Sequence, residues 1–168
     1  MVSGHQPSRF GLATGRQQAK PAHSEPRREY PAGILLGGCT SFADRIAVYA
    51  LIERGIAAAA VFEYASAVAL LNDKEILAQI TGLSMRSLGR RRRDGQNLGR
   101  DQSAQILRFA QALDKATRVF GTSTHAESWI STPAMGLNWA SPLKMLSNPV
   151  GFELVDDFLT RMDWGVYQ

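Results

Sequence analysis

The sequence predicts an all-α protein, and three observations support this prediction. Apolar residues recur at intervals of three and four along most of the chain from residue 41 onward, which is the spacing of one helix face. These stretches begin at residues that cap helices well and end at glycine or before proline. No stretch shows the alternation of apolar and polar residues that a half-buried strand requires. With 168 residues and 45% hydrophobic content, the chain suffices for one or two small packed domains.

Three helices are predicted before residue 82. The first ends at Gly55, and four large apolar residues share one of its faces: Phe42, Ile46, Tyr49 and Ile52. Residues 56–71 are rich in alanine and predict a mostly buried helix. Asn72 is the predicted N-cap of the third helix, where Glu75 completes a variant of the capping box.

A long helix is predicted from about residue 101 to Phe120, with Gly121 as its stop. Its buried face consists of Ile106, Phe109, Ala110, Leu113 and Phe120. Thr124 and Glu127 form a second predicted capping box, which opens a short helix.

Two further helices are predicted where a good N-cap residue precedes proline, at Ser141-Pro142 and Asn148-Pro149. The last helix buries one apolar face, which consists of Phe152, Val155, Phe158, Leu159 and Met162. Its acidic residues lie largely on the other face, and they are Glu153, Asp156 and Asp157. This helix is therefore amphipathic, with an acidic outer surface.

The composition divides the chain into three parts. Residues 1–32 contain few large apolar side chains and five basic ones, so we expect a disordered basic arm. We place an N-terminal domain over residues 33–100 and a C-terminal domain over residues 101–168.

The charge is unevenly distributed, although the net charge of the whole chain is only +4. Residues 86–100 contain six arginines and one acid, Asp94, whereas residues 144–168 contain two bases and four acids. A basic middle and an acidic end indicate two surfaces for two different partners.

Residues 73–91 fit a helix-turn-helix at its most constrained positions. Ala78 is small where the two helices cross, Gly82 can adopt the positive φ of the turn, and Ser84 can cap the second helix. The predicted DNA-contacting residues belong to this second helix and its cap: Ser84, Met85, Arg86, Ser87, Arg90, Arg91 and Arg93. Gly89 costs a helix interior about 1 kcal/mol relative to alanine. The alternative is a helical hairpin with a solvated basic face.

The chain ends in Trp164-Gly165-Val166-Tyr167-Gln168, directly after the acidic helix. A terminus is normally frayed and polar, whereas aromatic side chains contribute most when a partner's pocket buries them. The tail is therefore a candidate binding segment. The alternative is that Trp164 and Tyr167 fold back onto their own domain.

Several other classes of protein are not expected. The single cysteine, Cys39, excludes an internal disulfide framework and fits a reducing compartment. No apolar stretch is long enough to span a membrane, and the first 30 residues lack a signal sequence, so we expect a cytoplasmic protein. We also expect no enzyme, no metal and no cofactor, because neither a ligand cluster nor a phosphate-binding loop is present.

An ordered series of stretches resembles the Xre/ParS/MbcA family of antitoxins, the partners of RES-domain toxins. The stretches are Leu51-Ile52-Glu53-Arg54-Gly55-Ile56, Ile80-Thr81-Gly82-Leu83-Ser84-Met85-Arg86-Ser87-Leu88, Arg118-Val119-Phe120-Gly121, Ala126-Glu127-Ser128-Trp129-Ile130, Ser141-Pro142-Leu143-Lys144-Met145-Leu146 and the five C-terminal residues. The chain departs from the family at Leu137-Asn138-Trp139-Ala140, where a glycine-rich turn is usual. It departs again at Lys144, where an acid is common, and at Gln168, where the tail often closes in serine.

The resemblance implies an N-terminal Xre-like helix-turn-helix domain followed by a small helical toxin-binding domain. It also implies a homodimer that binds operator DNA, represses its own operon and neutralises a toxin that acts on NAD. In such antitoxins the C-terminal end enters the NAD site of the toxin, which here assigns toxin binding to Asp163, Trp164, Gly165, Val166, Tyr167 and Gln168. The main alternative is a transcription regulator of the same fold without a toxin.

Overall fold

The computed structural model describes Met1, residues 31–37 and residues 41–165. The predicted disordered arm up to residue 30, Cys39 and the tail residues Val166, Tyr167 and Gln168 lie outside the described residues.

The prediction of an all-α fold is confirmed. In chain order the helices are α1 (Ala32–Leu36), α2 (Arg45–Arg54), α3 (Ala58–Ala67), α4 (Lys74–Thr81), α5 (Met85–Arg93), α6 (Arg100–Phe120), α7 (Ser123–Ser131), α8 (Pro142–Met145) and α9 (Pro149–Asp163). Short 3-10 helices at Ala69–Asn72 and Met135–Leu137 join them. The β-type pairing among the described residues is limited to isolated bridges, between Ala57 and Asn97 and between Ala134 and Ala140.

The long helix α6 packs against both halves of the chain. It contacts α1, α2 and α4 on the N-terminal side and α7 and α9 on the C-terminal side. Its 21 residues make it about 30 Å long, at 1.5 Å of rise per residue. Eight of them are buried, and they cover more than half of its circumference: Ser103, Ile106, Leu107, Phe109, Ala110, Ala112, Leu113 and Ala116. The two halves therefore share one hydrophobic core.

Polar contacts fix the position of α6 along its length. The buried Ser103 hydroxyl accepts a hydrogen bond from the Ile56 backbone N–H at 3.0 Å. Lys115 Nζ lies 2.7 Å from Asp156 Oδ1 and donates to Thr160 Oγ1 at 2.6 Å. The serine contact joins α6 to the segment between α2 and α3, and the lysine contacts join it to α9. Sliding or rotation of α6 would leave the buried Ser103 and the partly buried Lys115 without these partners.

Contacts between aromatic rings join α6, α7 and α9 in the C-terminal half. The Trp129 ring lies 5.4 Å from the Phe120 ring and stacks on Phe158 with 6.0 Å between centroids. Val155 and Leu159 of α9 are completely buried, as the apolar face of this helix predicts.

The face predicted for α2 is wrong at two of its four residues. Ile46 and Tyr49 are 83% and 62% exposed, whereas Leu51 is buried and Ile52 and Val48 are partly buried against the core. The reason is that α6 meets α2 on the side of Leu51, so Ile46 and Tyr49 on the other side are left exposed.

Two predicted caps are also wrong by one or two residues. Asp73, rather than Asn72, caps α4, and its carboxylate accepts from the Glu75 N–H at 2.7 Å. The predicted helix over 56–71 ends at Ala67, and the 3-10 turn that follows takes up Asn72.

Thr122, rather than Thr124, caps α7, with the His125 N–H as donor at 3.2 Å. Glu127 does not complete a capping box. Its carboxylate instead accepts from the Leu70 N–H at 2.6 Å and so ties α7 to the N-terminal half.

Lys115→Ala should lower the free energy of unfolding by about 1–3 kcal/mol, because it removes charge-assisted contacts to α9 that are largely shielded from water. The matched control is Arg100→Ala, which breaks the exposed ion pair with Glu53 and should cost less than about 1 kcal/mol. Urea denaturation of the two variants measures both values. Equal, small losses would show that the Lys115 contacts do not hold α9 against α6.

Candidate nucleic-acid and protein interfaces

The helix-turn-helix predicted over residues 73–91 is formed by α4, a tight turn and α5. Gly82 ends α4 with a φ of 64°, the left-handed conformation that the turn requires. The Ser84 hydroxyl caps α5 and accepts from the Ser87 N–H at 3.2 Å. Leu88 of α5 is completely buried, and Ile80 of α4 is also buried. The two helices, the turn and the cap of this motif are therefore built as the sequence predicts.

Three arginines of α5 share its outer face. Arg86, Arg90 and Arg93 are exposed and occupy positions i, i+4 and i+7. At about 100° per residue, they fall within a stripe of roughly 60°, opposite the buried Leu88. Among the described residues none of the three guanidinium groups has an ion-pair or hydrogen-bonding partner. This stripe, Arg86, Arg90 and Arg93, is called the basic face below.

The other two arginines of α5 make intramolecular contacts. The Arg91 guanidinium donates to the Asn97 carbonyl at 2.9 Å, and the Arg92 guanidinium lies 4.7 Å above the centre of the Phe62 ring. Arg91 was among the predicted DNA-contacting residues, and the structure gives it an internal hydrogen bond. The contact of Arg92 with Phe62 has no signal in the local sequence, because the ring lies on α3.

The remaining predicted DNA-contacting residues lie at the start of α5. The Ser84 hydroxyl caps the helix and also donates to Ser87 Oγ at 3.0 Å. Met85 and Ser87 are half-buried. The basic face is thus the part of the predicted set that is most available to a partner.

The C-terminal helix α9 begins at a well-formed cap and ends at an exposed aromatic residue. The Asn148 side chain accepts from the Gly151 N–H at 2.8 Å. At the other end Trp164 is 78% exposed, and Gly165 has a φ of 67°. The Trp164 side chain therefore does not fold back onto the domain, which was the alternative for this residue.

An exposed stripe runs along α9 toward Trp164. Five residues at alternating intervals of four and three form it: Val150, Leu154, Asp157, Arg161 and Trp164. Of the acids predicted to face outward, Glu153 and Asp157 are exposed, whereas Asp156 is half-buried and pairs with Lys115. The surface of α9 is thus partly apolar and more weakly acidic than the sequence predicts.

The described part of the chain offers no group of three or more histidine, cysteine, aspartate or glutamate side chains that could hold a metal ion. None of the described helices has the length and hydrophobicity to cross a membrane.

Both halves of the chain match known families. Residues 47–111 match the antitoxin Xre-like helix-turn-helix domain, and residues 115–165 match the antitoxin Xre/MbcA/ParS C-terminal toxin-binding domain. The chain belongs to the Xre/MbcA/ParS antitoxin family. The family predicted from the ordered stretches is therefore confirmed, and the end of the first match and the start of the second both lie within α6.

Two curated relatives of this Xre/MbcA/ParS chain bear the name Antitoxin Xre. The protein of Yersinia enterocolitica is 35% identical over 95 residues, which are 56% of this chain and 64% of the relative. The protein of Photorhabdus laumondii is 30% identical over 91 residues, which are 54% of this chain and 62% of the relative. The chain thus spans less than two thirds of the length of these relatives.

Substitution of alanine for two glycines of the helix-turn-helix should change the free energy of unfolding in opposite directions. An added Cβ at Gly89 meets no atom within 4 Å, so Gly89→Ala should raise the free energy of unfolding by about 0.5–1 kcal/mol through its helix propensity. At Gly82 the positive φ strains any other residue, and Gly82→Ala should lower that free energy by about 1–2 kcal/mol. Thermal or urea denaturation of both variants tests this. Loss of stability in Gly89→Ala would contradict the helical geometry of α5.

Proposed function

We propose that this protein is an antitoxin that neutralises a RES-domain toxin with its C-terminal end and represses its own operon through α5. In this proposal it acts as a binding protein, without catalysis and without a cofactor. The observation that supports it most is the exposed Trp164, which extends from a capped helix in a domain that matches a toxin-binding family.

The chemistry of the tail suits an NAD-binding cleft. A site that binds the pyrophosphate of NAD needs positive charge, so it attracts carboxylates. Asp163 is exposed at the end of α9 and offers such a carboxylate. Trp164 and Tyr167 supply aromatic anchors, and Gly165 in its left-handed conformation turns the backbone out of the helix. Residues 163–168 would thereby occlude the site where the toxin binds NAD.

The basic face of α5 suits DNA. Phosphate contacts supply most of the affinity of a helix-turn-helix, and arginine also reads guanine bidentately in the major groove. Arg86 lies in the first turn of α5, the end that such motifs place against the bases, whereas Arg93 lies at the opposite end, where phosphate is the expected partner.

The proposed repressor is a homodimer, because helix-turn-helix proteins read operators as two half-sites related by twofold symmetry. Ile46 and Tyr49 of α2 support this, since two large apolar side chains are exposed on the N-terminal half.

Replacement of Arg86 and Arg90 by alanine should weaken binding to the DNA upstream of the gene by about tenfold or more, and should reduce the slope of log K against log salt by about 2. Adding Arg93→Ala should reduce the slope by about 1 more. The matched control removes two exposed charges from the C-terminal half, as Lys144→Ala with Arg161→Ala. Fluorescence anisotropy at several salt concentrations measures both quantities. An unchanged slope in the Arg86 and Arg90 variant would place the DNA contact elsewhere.

Deletion of residues 164–168 should abolish inhibition of the toxin while the protein stays folded and still binds DNA. Trp164 is exposed, so its removal takes no side chain from the core. The measurement is the toxin's consumption of NAD, or its transfer of ADP-ribose, at increasing antitoxin concentration. Within the full-length chain, Trp164→Phe should keep most of the inhibition, whereas Trp164→Ala should weaken it by about tenfold or more.

Full inhibition by the truncated chain would refute occlusion by the tail. A melting temperature far below that of the full-length protein would instead show that the tail is part of the fold.

A further inference from the structure

The turn between α7 and α8 holds two residues in an unusual backbone conformation. Asn138 and Trp139 have φ angles of 54° and 60°, and among the described residues they are the only ones other than glycine with positive φ. Asparagine tolerates this region because its short side chain bonds locally, but a bulky residue there is an outlier. Trp139 is therefore a strained residue in an otherwise regular fold.

The surrounding structure imposes this conformation. The Ala134 N–H donates to the Ala140 carbonyl at 3.1 Å, and the Trp139 N–H donates to the Ala134 carbonyl at 3.0 Å. Leu137 is buried, which anchors the middle of the turn. A side chain at Gly136 would overlap the Phe158 ring, so the turn lies directly on α9. Strain of this kind persists where neighbouring contacts over-determine the backbone, and it is concentrated at functional sites.

The Trp139 side chain itself makes little contact with the described protein. Its side chain is 68% exposed, and that of Met135, on the same turn, is 75% exposed. The indole has no aromatic or hydrogen-bonding partner among the described residues. The turn thus presents two large apolar side chains to solvent on a rigid support. We call Met135 and Trp139 the turn patch.

We propose that the turn patch is a second toxin-contacting surface and that Trp139 determines specificity for the cognate toxin. This inference rests on the proposed function. The patch lies within residues 115–165, which match a toxin-binding domain, and its turn packs on Phe158 of α9, the helix that ends next to Trp164. An exposed tryptophan on a pre-organised backbone suits the centre of an interface, because little conformational entropy is lost when it binds.

The tail and the turn patch would have different roles. The tail occludes the active site, which all toxins of the class must have in common. The turn patch contacts the surface beside that site, which can differ between toxins. Replacement of Trp139 should therefore weaken binding to the cognate toxin without removing the ability of the tail to inhibit at high concentration.

The test compares Trp139→Gly and Trp139→Ala with His125→Ala, which removes an exposed ring from α7 of the same half. Both Trp139 variants should raise the Kd for the cognate toxin by about 10- to 100-fold, and His125→Ala should leave it unchanged. Because glycine adopts positive φ without strain, the melting temperature of Trp139→Gly should equal that of the wild type or exceed it by up to about 4 °C. Trp139→Phe should recover part of the affinity. Titration calorimetry and thermal denaturation provide these values.

A reduced affinity without a loss of stability supports the turn patch, since a merely structural tryptophan would lose both. Wild-type affinity in Trp139→Gly overturns the inference, and the proposed function still stands if deletion of residues 164–168 abolishes inhibition of the same toxin. A change from dimer to monomer in Trp139→Gly without toxin, measured by light scattering, would overturn it in favour of contact between two copies. If the full-length wild type binds no RES-domain toxin, the proposed function fails and this inference fails with it.

Discussion

Burial of α6 between the two halves is the interaction on which the rest of the structure depends. Most of its circumference is covered, so neither half completes its core without it. Short helices such as α1 and α8 gain their stability from packing rather than from propensity. The buried hydrogen bond from Ile56 to Ser103 and the contacts of Lys115 with α9 set the position of α6 on both sides. The two family domains are thus joined by a shared helix rather than by a flexible linker.

A shared helix has a consequence for function. The basic face of α5 belongs to the N-terminal side, whereas Trp164 and the turn patch belong to the C-terminal side. The contact of Glu127 with the Leu70 backbone gives a second connection between the sides. In the proposed function, one shared core would therefore hold DNA and toxin on separate surfaces. Separate surfaces also allow DNA binding and toxin binding to be changed independently by mutation.

The features that depend on the local backbone were predictable from the sequence. Gly55, Gly82 and Gly121 end helices as expected, and Ser84 and Asn148 cap them, because each needs only its neighbours in the chain. Asn72 was assigned a cap that belongs to Asp73, because the intervening 3-10 turn shifts the boundary by one residue. Ile46 and Tyr49 were assigned to the wrong face of α2 because the neighbour of this helix is set by packing against distant residues.

The candidate site shows the same difference between features set by local spacing, which were predictable, and features set by distant residues, which were not. The spacing of Arg86, Arg90 and Arg93 on one face can be derived from the sequence, and the structure agrees. The internal contacts of Arg91 and Arg92 could not be derived, because Asn97 and Phe62 approach only in the folded protein. The strain at Trp139 arises from closure of its turn and packing on Phe158, which no local pattern reports.

The claim that one shared core carries two separate surfaces is tested most directly by hydrogen–deuterium exchange of the protein, alone and bound to the proposed toxin. The account predicts slower exchange around residues 134–140 and at the end of α9, with exchange in α4 and α5 unchanged. Protection of α5 by the toxin, with none around Trp139 or Trp164, would contradict it.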